Sequence, residues 1–190
     1  MKEKIIQASI ELFEKQGFAE TSIQHIVDTV GVTKGAFYYH FVSKEELLVA
    51  IHHRFIDFIL RKQNQIMKRL DTSFREKLHQ IITMLLQNIE QNGKSARVFF
   101  RELQNLKDSN LEELLEKRDQ FRRGLEEVIR RGIEIGEFKQ ELNPSMIALG
   151  ILGMCNWSYM WFNPSGPIKA EAFANICMDM VLNGIEKKEG

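Results

Sequence analysis

The stretch from Thr21 to Lys44, TSIQHIVDTVGVTKGAFYYHFVSK, constrains the fold more than any other part of this 190-residue chain. Ile23, Ile26, Val27 and Val30 recur at helical spacing and give a short helix one apolar face. Thr21, with Gln24 three residues on, reads as the capping box that starts this helix. Gly31 ends it, because a residue without Cβ enters the left-handed turn at no steric cost. Val32 then returns to the core, and Thr33 caps a second short helix from Lys34 to His40. Ser43 with Glu46 opens a third in the same way. Two short helices joined by a glycine turn, the second crowded with large polar side chains, predict a helix-turn-helix.

Phe37 and Phe41 lie four apart and supply the inward rings of the second helix, which leaves Tyr38, Tyr39 and His40 to face out. Lys34, Tyr38, Tyr39, His40 and the nearby Lys44 are donors of the kind that reach phosphates. Gly35 and Ala36 keep one face low enough to approach base edges. The bland alternative is an aromatic core cluster, but the two phenylalanines already fill that role.

GVTKGAFYYHFVSKEELL resembles the DNA-binding signature of the TetR family of bacterial transcription regulators, and the likeness runs over roughly residues 3 to 50. Gly17, Thr21, Ile26, Gly31, Val32, Gly35, Tyr38, Phe41, Lys44 and Leu47 carry it. The resemblance implies a three-helix DNA-binding domain at residues 1–46 and an effector-binding and dimerisation domain at 47–190. It implies base reading by Lys34, Gly35, Ala36 and Tyr38, and phosphate holding by Ser22, Tyr39, His40 and Lys44, with Thr21 and Thr33 in the same DNA-binding set.

Charge does not advertise this activity. The chain is formally neutral, and its first fifty residues carry a net charge of −2 with histidine neutral. The cations must therefore act locally, with Lys34 and Lys44 bracketing the reading helix. One protomer then neutralises few phosphates, so two protomers on a palindromic operator are expected. No basic, apolar, cleavable leader opens the sequence, and Cys155 and Cys177 lie in apolar stretches; a cytoplasmic protein with reduced thiols is expected. There is no phosphate-cradling glycine loop, zinc spacing or nucleophile elbow, so no enzyme, cofactor or metal is expected. His52 and His53 are adjacent, face different ways and read as surface or interface residues.

The rest of the chain is helical by periodicity, giving an all-α fold of about nine helices. Ile5, Ala8, Leu12 and Phe13 stripe the first helix. A long fourth helix runs from Glu45 to about Leu70, a fifth ends at Gly93, a sixth spans Ala96 to Leu106, and a seventh, with Leu111, Leu114 and Leu115 facing inward, closes at Gly136. Asn143-Pro144 starts an eighth. No charged residue occurs from Leu142 to Ile168, but Asn156 and Ser158 interrupt the run and Pro164 and Pro167 end it, which argues against a membrane span. The last helix, about Ile168 to Ile185, has Ala172, Phe173, Ile176, Cys177, Met180 and Val181 as its apolar face. Two terminal helices this apolar imply a homodimer formed as a four-helix bundle.

Phe99, Phe100, Met154, Trp157 and Trp161 are the candidate lining of an apolar ligand cavity. MCNWSYMWFNPSG is similar to a segment of KstR-type and fatty-acid-degradation regulators, which respond to acyl-CoA thioesters. Met160 and Asn163 stand where those relatives often carry arginines; Arg97, Arg101, Arg122, Arg123 and Lys169 are the cations left to meet CoA phosphates. The expectation is a repressor released by a hydrophobic small molecule, an acyl-CoA or fatty-acid-like compound. Within the family, the rival is a regulator of a multidrug efflux gene answering to lipophilic cations or drugs. Outside it, the rival is a helical protein-interaction module, which would have no use for the Tyr-Tyr-His-Phe-x-x-Lys end.

Overall fold

The computed structural model describes residues 1–183, and its ordered elements are all helical. Eight α-helices follow one another: α1 (Lys2–Gln16), α2 (Ile23–Val30), α3 (Lys34–Tyr38), α4 (Lys44–Met67), α5 (Phe74–Arg101), α6 (Asp108–Glu134), α7 (Pro144–Trp157) and α8 (Ala170–Asn183). The fifth and sixth helices read from the sequence are the two limbs of α5. They meet at Asn92, whose φ of −124° and ψ of 34° leave helical geometry one residue before the expected stop at Gly93. Ile185, the expected end of the last helix, lies outside the described residues.

The chain packs as two compact units. Unit 1 comprises Met1–Asp57 with Asn92–Glu116, and unit 2 comprises Phe58–Gln91 with the described residues from Lys117 onward. Helices α4, α5 and α6 each contribute residues to both.

In unit 1, α1 packs against α2, and Ile5, Ile6, Ser9, Ile10 and Phe13 are its buried residues. The buried stripe is thus rotated from the expected one, with Ile6, Ser9 and Ile10 taking the place of Ala8 and Leu12. The Phe13 ring meets Phe18 edge-on at 5.3 Å, and Phe37 tilts against Phe41 at 5.9 Å. Phe13, Phe37 and Phe41 are fully buried, so losing any one ring costs about 3–5 kcal/mol. The far limb of α5 brings Phe99 onto Phe55, stacked at 4.4 Å. His52 is buried, not superficial: Nδ1 lies 2.9 Å from the Leu48 carbonyl and its ring is beside Phe99. His53 approaches Glu113 at 3.8 Å.

In unit 2, Gln63 of α4 is buried and donates through Nε2 to the Phe121 carbonyl of α6 at 2.8 Å. Leu114 of α6 is buried in unit 1, whereas Leu115, expected inside, is exposed. Asn143 caps α7 by accepting from the Met146 N–H at 3.1 Å, with Pro144 at the first turn as expected. The first N–H of α8, at Ala170, is satisfied at long range by Glu90 of α5, 3.2 Å away. Ala170, Ala174, Cys177 and Met178 form the buried face of α8. Ala172, Ile176 and Met180, expected on that face, lie on the exposed one. Both cysteines are free and buried, and burial raises both thiols, that of Cys155 well up. No helix of the described residues is long and apolar enough to cross a membrane.

Candidate nucleic-acid interface

Three capped helix starts and one glycine turn build the head of unit 1. Helix α2 is capped by Ser22, whose Oγ accepts from the His25 N–H at 3.1 Å. The cap is one residue later than the sequence suggested, and this decides where Thr21 goes. Thr21 is buried, its hydroxyl donates to the Gly17 carbonyl at 2.8 Å, and Gln16 donates to that oxygen in turn. It closes the loop between α1 and α2. Gln24, its expected box partner, reaches Asp28 instead.

Gly31 ends α2 with φ 75° and ψ 41°, a left-handed residue whose N–H returns to Val27 and Asp28 carbonyls. Two residues later Thr33 caps α3, accepting from the Ala36 N–H at 3.2 Å. Ser22 and Thr33 are both exposed. Each hydroxyl oxygen accepts from the helix while its own proton remains available to an acceptor outside. Ser43 caps α4 through the Glu46 N–H at 3.1 Å; the Glu46 carboxylate accepts from the Val42 N–H at 2.5 Å.

Helix α3 is short, and Phe37 is its buried residue. Lys34 and Gly35 are exposed and Ala36 is half-buried. Tyr38 is 52% exposed and Tyr39 84%, unusual values for tyrosine and far above what a core cluster would show. The Tyr39 and His40 rings pack edge-on at 4.9 Å, and Tyr38 leans on the buried Phe37 ring at 5.6 Å, so the outward side chains support one another. Lys34, Gly35, Ala36, Tyr38, Tyr39 and His40 thus occupy one short helical turn and its end, with the two exposed caps nearby in sequence.

Lys44 does not join them. Its ammonium donates to the carbonyls of Phe18 and Thr21, both at 2.7 Å, and of Ala19 at 3.3 Å, and it lies 4.2 Å from the centre of the Phe18 ring. Burial pulls its pKa down, against the carboxylates of Glu45, Glu20 and Glu102. Lys2, by contrast, sits in the first turn of α1, exposed and 5.3 Å from the ring of Phe41, which follows the reading helix.

The head also has supports from far along the chain. Lys94 and Arg97 on the far limb of α5 pair with Glu11 and Glu14 of α1, the latter at 2.8 Å. Acids that made the first fifty residues look unsuited to DNA are therefore partly neutralised from elsewhere. No local signal in the sequence announces this.

The five expected cavity residues are not one group. Phe99 and Phe100 belong to unit 1, where their rings meet at 5.2 Å and both contact Phe55. Met154, Trp157 and Trp161 belong to unit 2, where Trp157 is 63% and Trp161 57% exposed. Two clefts of about 450 and 360 Å³ in unit 2 are lined by none of the five. Of the cations held in reserve for phosphates, Arg97 is paired as above, Arg122 and Arg123 pair with Asp119 at 2.7 Å, and Lys169 donates to the Pro164 carbonyl at 2.7 Å.

Comparison with known proteins agrees with this geometry. Residues 5–51 match the family of bacterial regulatory proteins called the tetR family, and residues 71–185 match the tetracyclin repressor-like C-terminal domain. The HTH-type transcriptional repressor KstR2 of Mycolicibacterium smegmatis is 25% identical over 190 residues, covering 100% of this chain and 92% of that protein. The crystal structure of the regulator PfmR from Thermus thermophilus superposes with a TM-score of 0.89 at 28% identity, covering 96% of this chain and 99% of that one. AibR in complex with isovaleryl coenzyme A and operator DNA shares the fold, with a TM-score of 0.85, 22% identity and coverage of 95% and 97%. With both domains matched and a helix-turn-helix built as described, the chain belongs to the tetR family of bacterial regulatory proteins and is a ligand-responsive, DNA-binding transcription regulator, not an enzyme.

Proposed function

We propose that this chain is a repressor that binds a palindromic operator as a homodimer and is released by a hydrophobic small molecule. The observation that carries the DNA half is the exposure of Tyr38 and Tyr39 beside Lys34 and the low backbone of Gly35 and Ala36. Residues 1–46 hold the reading surface, and residues 47–190 hold the effector and dimer functions. Lys34, Gly35, Ala36 and Tyr38 read base edges, while Ser22, Thr33, Tyr39 and His40 hold phosphates.

The apolar surface of the terminal helices supports the dimer. Met146, Leu149, Trp157, Met160, Trp161, Ile168, Ile176 and Met180 are each at least 45% exposed, and they cluster on α7, α8 and the segment between them. A second copy using the same face would bury them. Gly150 and Gly153 have nothing within 4 Å of where a Cβ would stand, so that side of α7 is open to a partner helix.

The acyl-CoA or fatty-acid-like class of effector is supported by the similarity to KstR2 and by the isovaleryl-CoA complex of AibR. An alternative is a lipophilic drug, with efflux genes as the target. Selection from a randomised inverted-repeat DNA pool, followed by sedimentation of the protein with and without the selected duplex, tests the whole reading. A two-protomer complex on one enriched inverted repeat is the expected result; no enrichment over random duplex refutes it. Titrating acyl-CoA thioesters, free fatty acids and lipophilic cations into that complex then separates the effector classes.

A further inference from the structure

Lys44 stands at the first position of α4, where the positive end of the helix dipole disfavours a cation. Its environment explains why it is there. An ammonium has three N–H groups, and this one has three carbonyl partners: Phe18, Ala19 and Thr21. The Phe18 ring covers another side at 4.2 Å. All three carbonyls belong to the loop between α1 and α2. That loop is short, is closed internally by the Thr21 hydroxyl on Gly17, and runs directly into Ser22, the residue that caps α2.

We propose that Lys44 is a positioning residue of the reading head: it ties the loop before α2 to the first turn of α4 and does not itself neutralise a phosphate. To meet a phosphate the ammonium would have to abandon three carbonyls, two of them in part-buried contacts, and the face of the Phe18 ring. Held in place, it fixes the start of α2 relative to α4, and so the pose in which the Ser22 and Thr33 caps and α3 are presented. Glu102, buried and bonded to Asn105 at 2.7 Å, adds a carboxylate whose field favours the charged ammonium. The inference rests on the DNA-binding reading above, but part of its test does not.

The test uses the full chain, its Lys44→Met and Lys44→Arg variants, and the duplex enriched from a randomised inverted-repeat pool by the unaltered protein. Affinity is followed between about 50 and 200 mM salt, where each lost phosphate contact lowers the slope of log K against log salt by about 0.9. The positioning role requires Lys44→Met to weaken binding by roughly tenfold or more at every salt concentration with the slope unchanged. Lys44→Arg must weaken it too, because a planar guanidinium does not fit three carbonyls converging on one point. Hydrogen exchange of the DNA-free protein must quicken at residues 18–25 in both variants. The proposal is overturned if the slope falls by about 0.9 per protomer, if Lys44→Arg binds like the unaltered chain, or if exchange at residues 18–25 does not change. Failure of the pool to enrich any sequence would refute the DNA reading and leave the exchange measurement to decide the role of Lys44.

Discussion

Gly124 of α6 should be intolerant of the smallest substitution, and the structure gives the size of the effect. A Cβ there would stand 2.6 Å from Oε1 of Gln63, 2.8 Å from its Cδ and 2.9 Å from its Nε2. The Gln63 carboxamide is buried and donates to the Phe121 carbonyl at 2.8 Å. Alanine therefore forces that carboxamide off its acceptor or pushes α4 from α6. Displacing a buried amide from its partner costs about 1–3 kcal/mol, and crowding a packed site adds a similar amount. Against this, replacing glycine within a helix returns about 1 kcal/mol. The net expectation for Gly124→Ala is a loss of roughly 1–5 kcal/mol, or a Tm lower by about 2–4 °C for each kcal/mol in a chain of this size. Urea and thermal unfolding followed by circular dichroism, at one fixed protomer concentration because a dimer links stability to concentration, would measure it. The reasoning also predicts strong non-additivity. In a Gln63→Ala background the obstacle is gone, and Gly124→Ala should become neutral or stabilising. Should Gly124→Ala leave the otherwise unaltered chain as stable as before, or cost the same in both backgrounds, the steric account of the α4–α6 contact is wrong.

Gly31→Ala should destabilise unit 1 by about 1–2 kcal/mol through backbone strain alone, since φ is +75° and no atom lies within 4 Å of the added methyl; Gly31→Asn should cost less, and chemical denaturation would rank the two. Tyr39→Ala should leave the unfolding midpoint essentially unchanged while weakening DNA binding by a similar factor on every sequence, a pattern visible in paired gel-shift and thermal measurements; a large loss of stability would place this 84%-exposed ring in the core after all. Glu76 accepts from the N–H and hydroxyl of Ser73 at the start of α5, and these bonds hold its carboxyl below the usual glutamate range. Its folded pKa lies below its unfolded one, so its stabilisation is present above the unfolded pKa and is lost as pH falls through the folded value. Glu76→Gln should therefore shrink the pH dependence of stability across the acidic range, and an unchanged acid limb would argue against the cap.

Much of this molecule is readable locally. The caps at Thr33, Ser43 and Asn143, the glycine turns at Gly31 and Gly136, and the inward pair Phe37 and Phe41 all follow from residues within four positions of one another. Where such signals compete, the sequence slips by a residue. Thr21 and Ser22 are both good caps, and only the buried hydroxyl contact of Thr21 with Gly17 decides between them. Periodicity was less reliable for which side of a helix is covered. The apolar residues of α8 divide between a buried face and an exposed one, and a spacing rule cannot separate a monomer's core from a surface awaiting a partner.

The sequence by itself determined the helical elements, the helix-turn-helix and the membership of this chain in its family, because capping, turn geometry and amphipathic spacing are short-range properties. Only the tertiary structure decided that Lys44 folds inward, that His52 is a core residue, and that residues 92–116 complete the unit carrying the reading helix. A lysine beside an exposed helix has the same local surroundings in the sequence whether its ammonium reaches solvent or three carbonyls more than twenty residues away. That choice is made by partners distant in sequence, whose positions follow from how the helices pack.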